Sequence, residues 1–314
     1  MKLCANMPSR SKRSLLKVAA FSTLGVSRTG KSSNDTDFSF VLLGDTPYTT
    51  LDELSAARVI QEASPGASFM IHVGDIKNGV APCTDELLTR RIKFLDASPI
   101  PLIYLPGDNE WVDCRLTEDA PFDPINRLQF IRKLAFGTSK SLGVKKIDTQ
   151  FQAEFPEHRQ WNQGGVQFIS LNVAGSYNGV GLLPQAAIDA RMQAVRTWLE
   201  LGVAQAIQTK QRGLVVALHA NIGINRSGFQ TLRGKSAAAF GDFRQFLLDQ
   251  FKRWDKPSLL LHGDSHVFAN DKPSEALPLL QRVESFGFPF TSSWAKISVV
   301  HQNPALFVVS ANHL

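Results

Sequence analysis

Five times along this sequence a short apolar run stops at an aspartate or a histidine, and four of the five carry a glycine just before the aspartate. The five are Val41-Leu42-Leu43-Gly44-Asp45, Ile71-His72-Val73-Gly74-Asp75, Leu105-Pro106-Gly107-Asp108-Asn109-Glu110, Val215-Val216-Ala217-Leu218-His219 and Leu261-His262-Gly263-Asp264-Ser265-His266. Such runs, apolar at nearly every position, read as strands buried on both faces. In open α/β sheets the residues just beyond the carboxyl ends of strands converge on one crevice, so these ends would gather Asp45, Asp75, Asp108, His219, Asp264 and His266. Glycine before aspartate lets the backbone turn sharply and approach an ion. Carboxylates with neutral imidazoles suit Mn, Fe or Zn. A single Gly-Asp is ordinarily a turn, and a single strand-end histidine is ordinarily packed. Five in series are a different signal.

Between these runs lie longer amphipathic stretches, the pattern of a layered α/β fold. Strands are expected at Phe38–Leu43, 69–73, 101–105, 166–173, 213–218 and 258–261, with a closing hairpin from 295–300 and 306–310. Thr50-Leu51-Asp52-Glu53 has capping-box spacing and predicts a helix to about residue 63. Thr84 or Asp85 caps a second helix, and a third lies near 124–136. Ile188, Met192, Val195 and Leu199 recur at helical spacing within a long helix over 184–207, and Phe243, Leu247 and Phe251 mark another. Residues 137–165 show no clear period and are expected to form an insertion over the site. With no repeat and no linker, 35–314 reads as a single domain.

The charge is unevenly placed. Seven of the 34 basic residues (Lys2, Arg10, Lys12, Arg13, Lys17, Arg28, Lys31) fall in residues 1–34, which hold no acid, leaving 27 basic against 28 acidic residues in the body. A neutral body gives no nucleic-acid footprint. No apolar run is long enough for a membrane-spanning helix. The basic terminus reads as an address: Ser11-Lys12-Arg13-Ser14-Leu15-Leu16-Lys17 resembles a twin-arginine export signal, with an organelle transit peptide or a plain tail as alternatives. Gly25-Val26-Ser27-Arg28-Thr29-Gly30-Lys31-Ser32 matches the P-loop letters, but a strand follows too soon for the helix that phosphate binding needs. Cys83 and Cys114 follow two of the motif loops and could meet as a disulfide across neighbouring strand ends, or remain free thiols.

The order of the five motifs resembles the calcineurin-like metallophosphoesterase superfamily, which includes purple acid phosphatases, over about residues 38–311. Its pattern is Asp-x-His, Gly-Asp, Gly-Asn-His-Asp/Glu, a strand-end His, and Gly-His-x-His. The resemblance implies a four-layer α-β-β-α sandwich, in which two mixed sheets are flanked by helices. It also implies two divalent or mixed-valence transition-metal ions, and hydrolysis of a small phosphorylated substrate by a metal-bridging hydroxide. Carried over, Asp45 and His266 would bind the first ion, Asp75 would bridge, and Asp108 and His219 would bind the second.

The departures are specific. Pro47 stands at the histidine of the first motif and cannot coordinate; Tyr48 beside it either lines the pocket against substrate or supplies its phenolic oxygen. Asp108 replaces an asparagine, Asn109 the active-site histidine, and Asp264 the first histidine of the last motif. His262 either swings into that role or, as strand alternation favours, points away from Asp264's side, and His72 reads as packed behind the site. Lys77 is either a phosphate contact or a solvated lysine, and the polar loop 172–178 either touches substrate or is a turn. Four aspartates against two ions suit a harder ion or a less charged substrate. Alternatively, the substitutions leave a metal-binding or interaction module that catalyses nothing.

Overall fold

In the computed structural model, residues 36–116, 122–225, 228–229 and 232–314 are described. The export-signal and P-loop-like stretches lie outside the described residues. The described residues cluster as one compact unit.

Along the chain run β1 (Phe38–Leu43), α1 (Thr50–Ala63), β2 (Met70–His72), α2 (Asp85–Asp96), β3 (Leu102–Tyr104) and α3 (Pro124–Ala135). Then come β4 (Gln150–Gln152), β5 (Phe155–Gln163), β6 (Val166–Ser170), the single turn α4 (Gly175–Asn178), α5 (Gln185–Gln208) and β7 (Gly213–Ala217). The rest are β8 (Ile224–Asn225), β9 (Gly228–Phe229), α6 (Gly234–Trp254), β10 (Ser258–His262), β11 (Ala269–Asp271), β12 (Leu280–Glu284), β13 (Ser293–Val299) and β14 (Phe307–His313).

Two mixed sheets form, in the orders β14-β13-β1-β2-β3 and β11-β12-β10-β7-β6-β5-β4. Strand alternation explains their stacking. In β1, Phe40 and Leu42 enter the layer between the sheets, while Val41 and Leu43 face α1, α2 and α3. In β7, Val215 and Ala217 face inward and Leu214 and Val216 face α5 and α6. Each central strand is thus apolar on both faces because each face meets a different layer. The four-layer expectation holds: helices, sheet, sheet, helices. β1, β2 and β3 pair in parallel, as do β6, β7, β10 and β12, so the carboxyl ends of each set share one edge.

Two local expectations are corrected. The capping box of α1 is set one residue earlier, on Thr49, whose backbone N–H donates to Asp52 (2.8 Å) and whose hydroxyl accepts from the Asp52 N–H (3.2 Å). Residues 137–165 are not an insertion over the site; β4 and β5 extend the second sheet at its edge. The strand signal was hidden because four of the five buried positions of β5 are polar: Glu157, His158, Arg159 and Gln160, with Trp161 the fifth. Glu157 is fully buried and clamped by the Arg132 guanidinium on α3, with Nε and Nη2 at 2.8 and 2.7 Å, and by the Asn172 amide at 3.0 Å. A buried carboxylate survives only with such partners.

Candidate metal centre

The loops leaving β1, β2 and β10 hold Asp45, Asp75, Asp264 and His266 at positive φ (52°, 59°, 77° and 62°). Non-glycine residues persist there only where their surroundings over-determine them, and such positions cluster at functional sites. Gly74, at φ 106°, packs on the next loop so closely that a Cβ would lie 2.4 Å from the Gly107 N, and one on Gly107 would lie 2.1 Å from Asp75 Oδ1. The glycines of these two motifs are therefore there for close approach.

Two donor groups result, and both use Asp75: one with Asp45 and His266, the other with Asp108 and His219, with donor atoms within 4.8 Å of one another in each. The surroundings of the two Asp75 oxygens differ. Oδ1 lies 3.4 Å from His219 Nε2, while Oδ2 lies 3.1 Å from the Tyr48 hydroxyl, itself 2.9 Å from His266 Nε2. His219 Nε2 also lies 2.9 Å from Asp108 Oδ1 and 3.8 Å from Asp264 Oδ1. Asp264 Oδ2 accepts from the Asn221 N–H (2.9 Å), which leaves Oδ1 for the centre. On the first side, His266 Nε2 is 3.6 Å from Asp45 Oδ1.

These residues fit metal ions by their hydrogen bonding as well as their type. His219 Nδ1 donates to the Val73 carbonyl (2.7 Å) and His266 Nδ1 to the Phe288 carbonyl (2.9 Å), so each presents Nε2 to its donor group. Anchoring the far nitrogen on a carbonyl is how protein imidazoles are oriented towards metals. Asp45 is braced by the Asp264 N–H (3.0 Å) and the Ser285 hydroxyl (3.2 Å). Burial pushes the Asp45 and Asp75 carboxyls up, and beside Asp75 the Asp108 and Glu110 charges push further. Burial alone would lower the His219 imidazole, yet Asp75 and Asp108 hold it well above its ordinary value. Asp108, by contrast, is drawn down to about 2, because its hydrogen bond and charge contact with His219 outweigh burial. Concentrated buried negative charge of this kind is what a cation would relieve.

The remaining sequence candidates divide. Asn109 donates its side-chain N–H to Asp75 Oδ2 (2.6 Å) and its backbone N–H to Oδ1 (3.1 Å). The Tyr48 hydroxyl lies among the donors of the first group, and burial followed by the Asp75 charge pushes its pKa up. Lys77 is buried rather than solvated, and its ammonium donates to the Asn78 carbonyl (2.7 Å). The Glu110, Asp75 and Asp113 charges draw it inward against the cost of burial. His72 and His262 stand outside the centre. His72 Nε2 donates to the Thr46 carbonyl (2.8 Å) and Nδ1 accepts from the Gly74 N–H (3.3 Å), bracing two loops. His262 faces Arg282 and Glu284.

Three further contributors are Glu110, which the third motif contains, the loop 172–178, and Ser285, which carried no sequence signal. Glu110 Oε1 accepts from the Tyr104 hydroxyl (2.6 Å) and from the Gly107 and Asp75 N–H groups (2.7 and 3.2 Å), tying two loops together. Ser285 braces Asp45 from the end of β12, a strand the sequence reading did not find. The loop 172–178 closes over the second donor group: a Cβ on Gly175 would lie 2.4 Å from Asp264 Oδ1 and 2.7 Å from Asp108 Oδ1. Arg191 of α5 fixes this loop through the Asn172 and Asn178 carbonyls, each at 2.8 Å. Beside the centre, Cys83 and Cys114 form a disulfide that joins the loops carrying Asp75 and Asn109, with Cα atoms 5.6 Å apart.

The two mixed sheets flanked by helices are consistent with the metallophosphoesterase fold. A purple acid phosphatase, PPD1, from yellow lupin (Lupinus luteus) seeds is similar at 13% identity over 88% of this chain and 52% of its own, with a TM-score of 0.53. This chain spans about half the length of that phosphatase. A protein described as GAP50, the anchor in the inner membrane complex of Plasmodium, is similar at 12% identity over 88% of this chain and 84% of its own, with a TM-score of 0.50. At such identities the likeness shows the fold. No protein-family profile and no curated protein sequence matches the chain.

Proposed function

We propose that this chain hydrolyses a phosphate monoester or diester using two transition-metal ions drawn from Mn, Fe and Zn. The observation that carries the reading is that Asp75 belongs to both donor groups. Asp45, Asp75 and His266, with the Tyr48 oxygen, would hold one ion; Asp75, Asp108, His219 and Asp264 would hold the other. Two ions so held supply Lewis-acid polarisation of a phosphoryl oxygen and activation of water near neutral pH. The chain's own groups orient these donors: Asn109 and Tyr48 clamp Asp75, Ser285 and the Asp264 N–H clamp Asp45, and carbonyls fix both imidazoles.

The test is metal analysis of the purified chain, with turnover measured on a panel of mono- and diesters. About two ions per chain are expected, with activity lost in chelator and in Asp75→Asn. Undiminished turnover in chelator by metal-free protein would refute the reading. We read the protein as exported, because a disulfide persists in oxidising compartments and no described helix is long and apolar enough to cross a membrane. On this reading residues 35–314 are the catalytic domain and 1–34 are dispensable for activity.

A second reading is a metal-binding module that catalyses nothing. It draws on the Asn109 amide, which is committed to Asp75, and on a similar fold whose description is that of an anchor. Metal uptake with no turnover across the panel would favour it.

A further inference from the structure

Phe288, Phe290 and Val267 are 40%, 56% and 64% exposed, and all belong to the chain flanking His266 or supporting it. Scattered exposed apolar residues need no explanation, but Phe288 is not scattered. Its ring stacks on the Tyr48 ring, with centroids 5.6 Å apart and planes 21° apart. The Tyr48 hydroxyl in turn lies 3.1 Å from Asp75 Oδ2 and 2.9 Å from His266 Nε2. One ring therefore separates the Phe288 ring from the centre. Its backbone is pinned as well: the N–H donates to the Asp45 carbonyl (3.0 Å), and the carbonyl accepts from His266 Nδ1 (2.9 Å). The segment that orients the donors thus also presents an aromatic face, which keeps that face ordered before anything binds. Lys77, the cation nearest in sequence to Asp75, is turned inward.

The geometry points to a subsite in which Phe288, stacked on Tyr48, binds a planar apolar group of the phosphate ester. This rests on the hydrolase reading above and names its substrate class as aryl-bearing esters. Offset stacking on an exposed ring, with the apolar area it covers, is worth roughly tenfold in affinity.

The experiment uses the metal-loaded full chain and two p-nitrophenyl phosphodiesters that share a leaving group and differ in the second substituent, phenyl or methyl. The wild type should prefer the phenyl ester by about tenfold in kcat/KM, mainly through KM. Phe288→Ala should bring that ratio close to one, and Phe288→Leu should keep part of it. Calorimetric binding of phenylphosphonate against methylphosphonate gives the same comparison without turnover. A ratio and a phosphonate preference both unchanged in Phe288→Ala would overturn the subsite while leaving hydrolysis intact. If neither ester turns over yet phenylphosphonate binds more tightly through Phe288, the hydrolase reading fails and the subsite stands.

Discussion

Gly175→Ala isolates the second donor group with a single methyl. The Cβ would sit 2.4 Å from Asp264 Oδ1 and 2.7 Å from Asp108 Oδ1, whereas a carbon–oxygen contact relaxes at about 3.3 Å. One or both carboxylates must retreat by roughly 0.6–0.9 Å. The backbone offers no objection of its own, since Gly175 is not among the positive-φ glycines. Misplacing donors by this much should weaken one ion by about 10–100-fold, or ~1.4–2.7 kcal/mol, while Asp45, His266 and Tyr48 on the far side are untouched. A competition titration with a chelator of known affinity resolves the two equivalents, and thermal unfolding of metal-free protein reports any damage to the fold. Two equivalents binding as in the wild type would refute the convergence of Asp108 and Asp264 on one ion.

Arg132→Leu strips Glu157 of its bidentate partner and leaves a fully buried carboxylate with Asn172; denaturant unfolding should show a loss of about 3–5 kcal/mol. Burial alone would raise the Glu157 carboxyl, but the Arg132 hydrogen bonds hold it below its ordinary value, so the pair's contribution is full above the unfolded value and fades as pH falls through the folded one; the gap between variant and wild type should narrow in acid. Metal uptake should release protons, because His219 in the metal-free protein is held well above its ordinary value; affinity should rise with pH, and calorimetry in buffers of different ionisation enthalpy should show net release rather than none. Reduction of Cys83–Cys114 should lower stability by ~2–4 kcal/mol and loosen the Asn109 loop, with a drop in activity that reoxidation reverses. Since the Asn109 amide cannot transfer a proton at neutral pH, aryl phosphates should far outpace alkyl ones, and Asn109→His should narrow the gap by speeding the alkyl ester; equal wild-type rates with chemistry limiting would point to another proton donor.

The core strands and the donor set were legible because both follow from local pattern. Doubly buried strands are apolar at nearly every position, and their ends must open on the same edge when the strands are parallel. The edge strand β5 was illegible for the converse reason: Glu157 and Arg159 fill buried positions and break the hydrophobic alternation. The register of the first cap was ambiguous in the letters themselves. Thr49-x-x-Asp52 and Thr50-x-x-Glu53 both satisfy the capping box, and the choice fell to Thr49 while Glu53 pairs with Arg90 and Arg91 across the helix pair. Lys77 misled for a tertiary reason, since only the assembled loops bring Glu110, Asp75 and Asp113 around it. Tyr48 lay within the first motif, but its place among the donors depends on His266, 218 residues away.

The charge of the centre and the Phe288 face bear on the same choice of substrate. On the proposed two-ion reading, Asp45, Asp75, Asp108 and Asp264 would bring four carboxylates to two ions, so with both ions divalent the charges would cancel. A phosphate monoester dianion then gains little from the net field, and its affinity must come from individual contacts. A diester carries one charge fewer, so it forfeits less of what a neutral centre withholds. Its second organic group also gives the Phe288 face something to bind that a small monoester lacks. If one ion is instead trivalent, the centre regains a positive charge and the balance shifts back towards monoesters. The Tyr48 oxygen beside Asp75 and His266 is a hard donor suited to such an ion. Metal identity and ester class are therefore one question in this protein: the ion that fills the Asp45, Asp75 and His266 group fixes the charge to which the substrate must be matched.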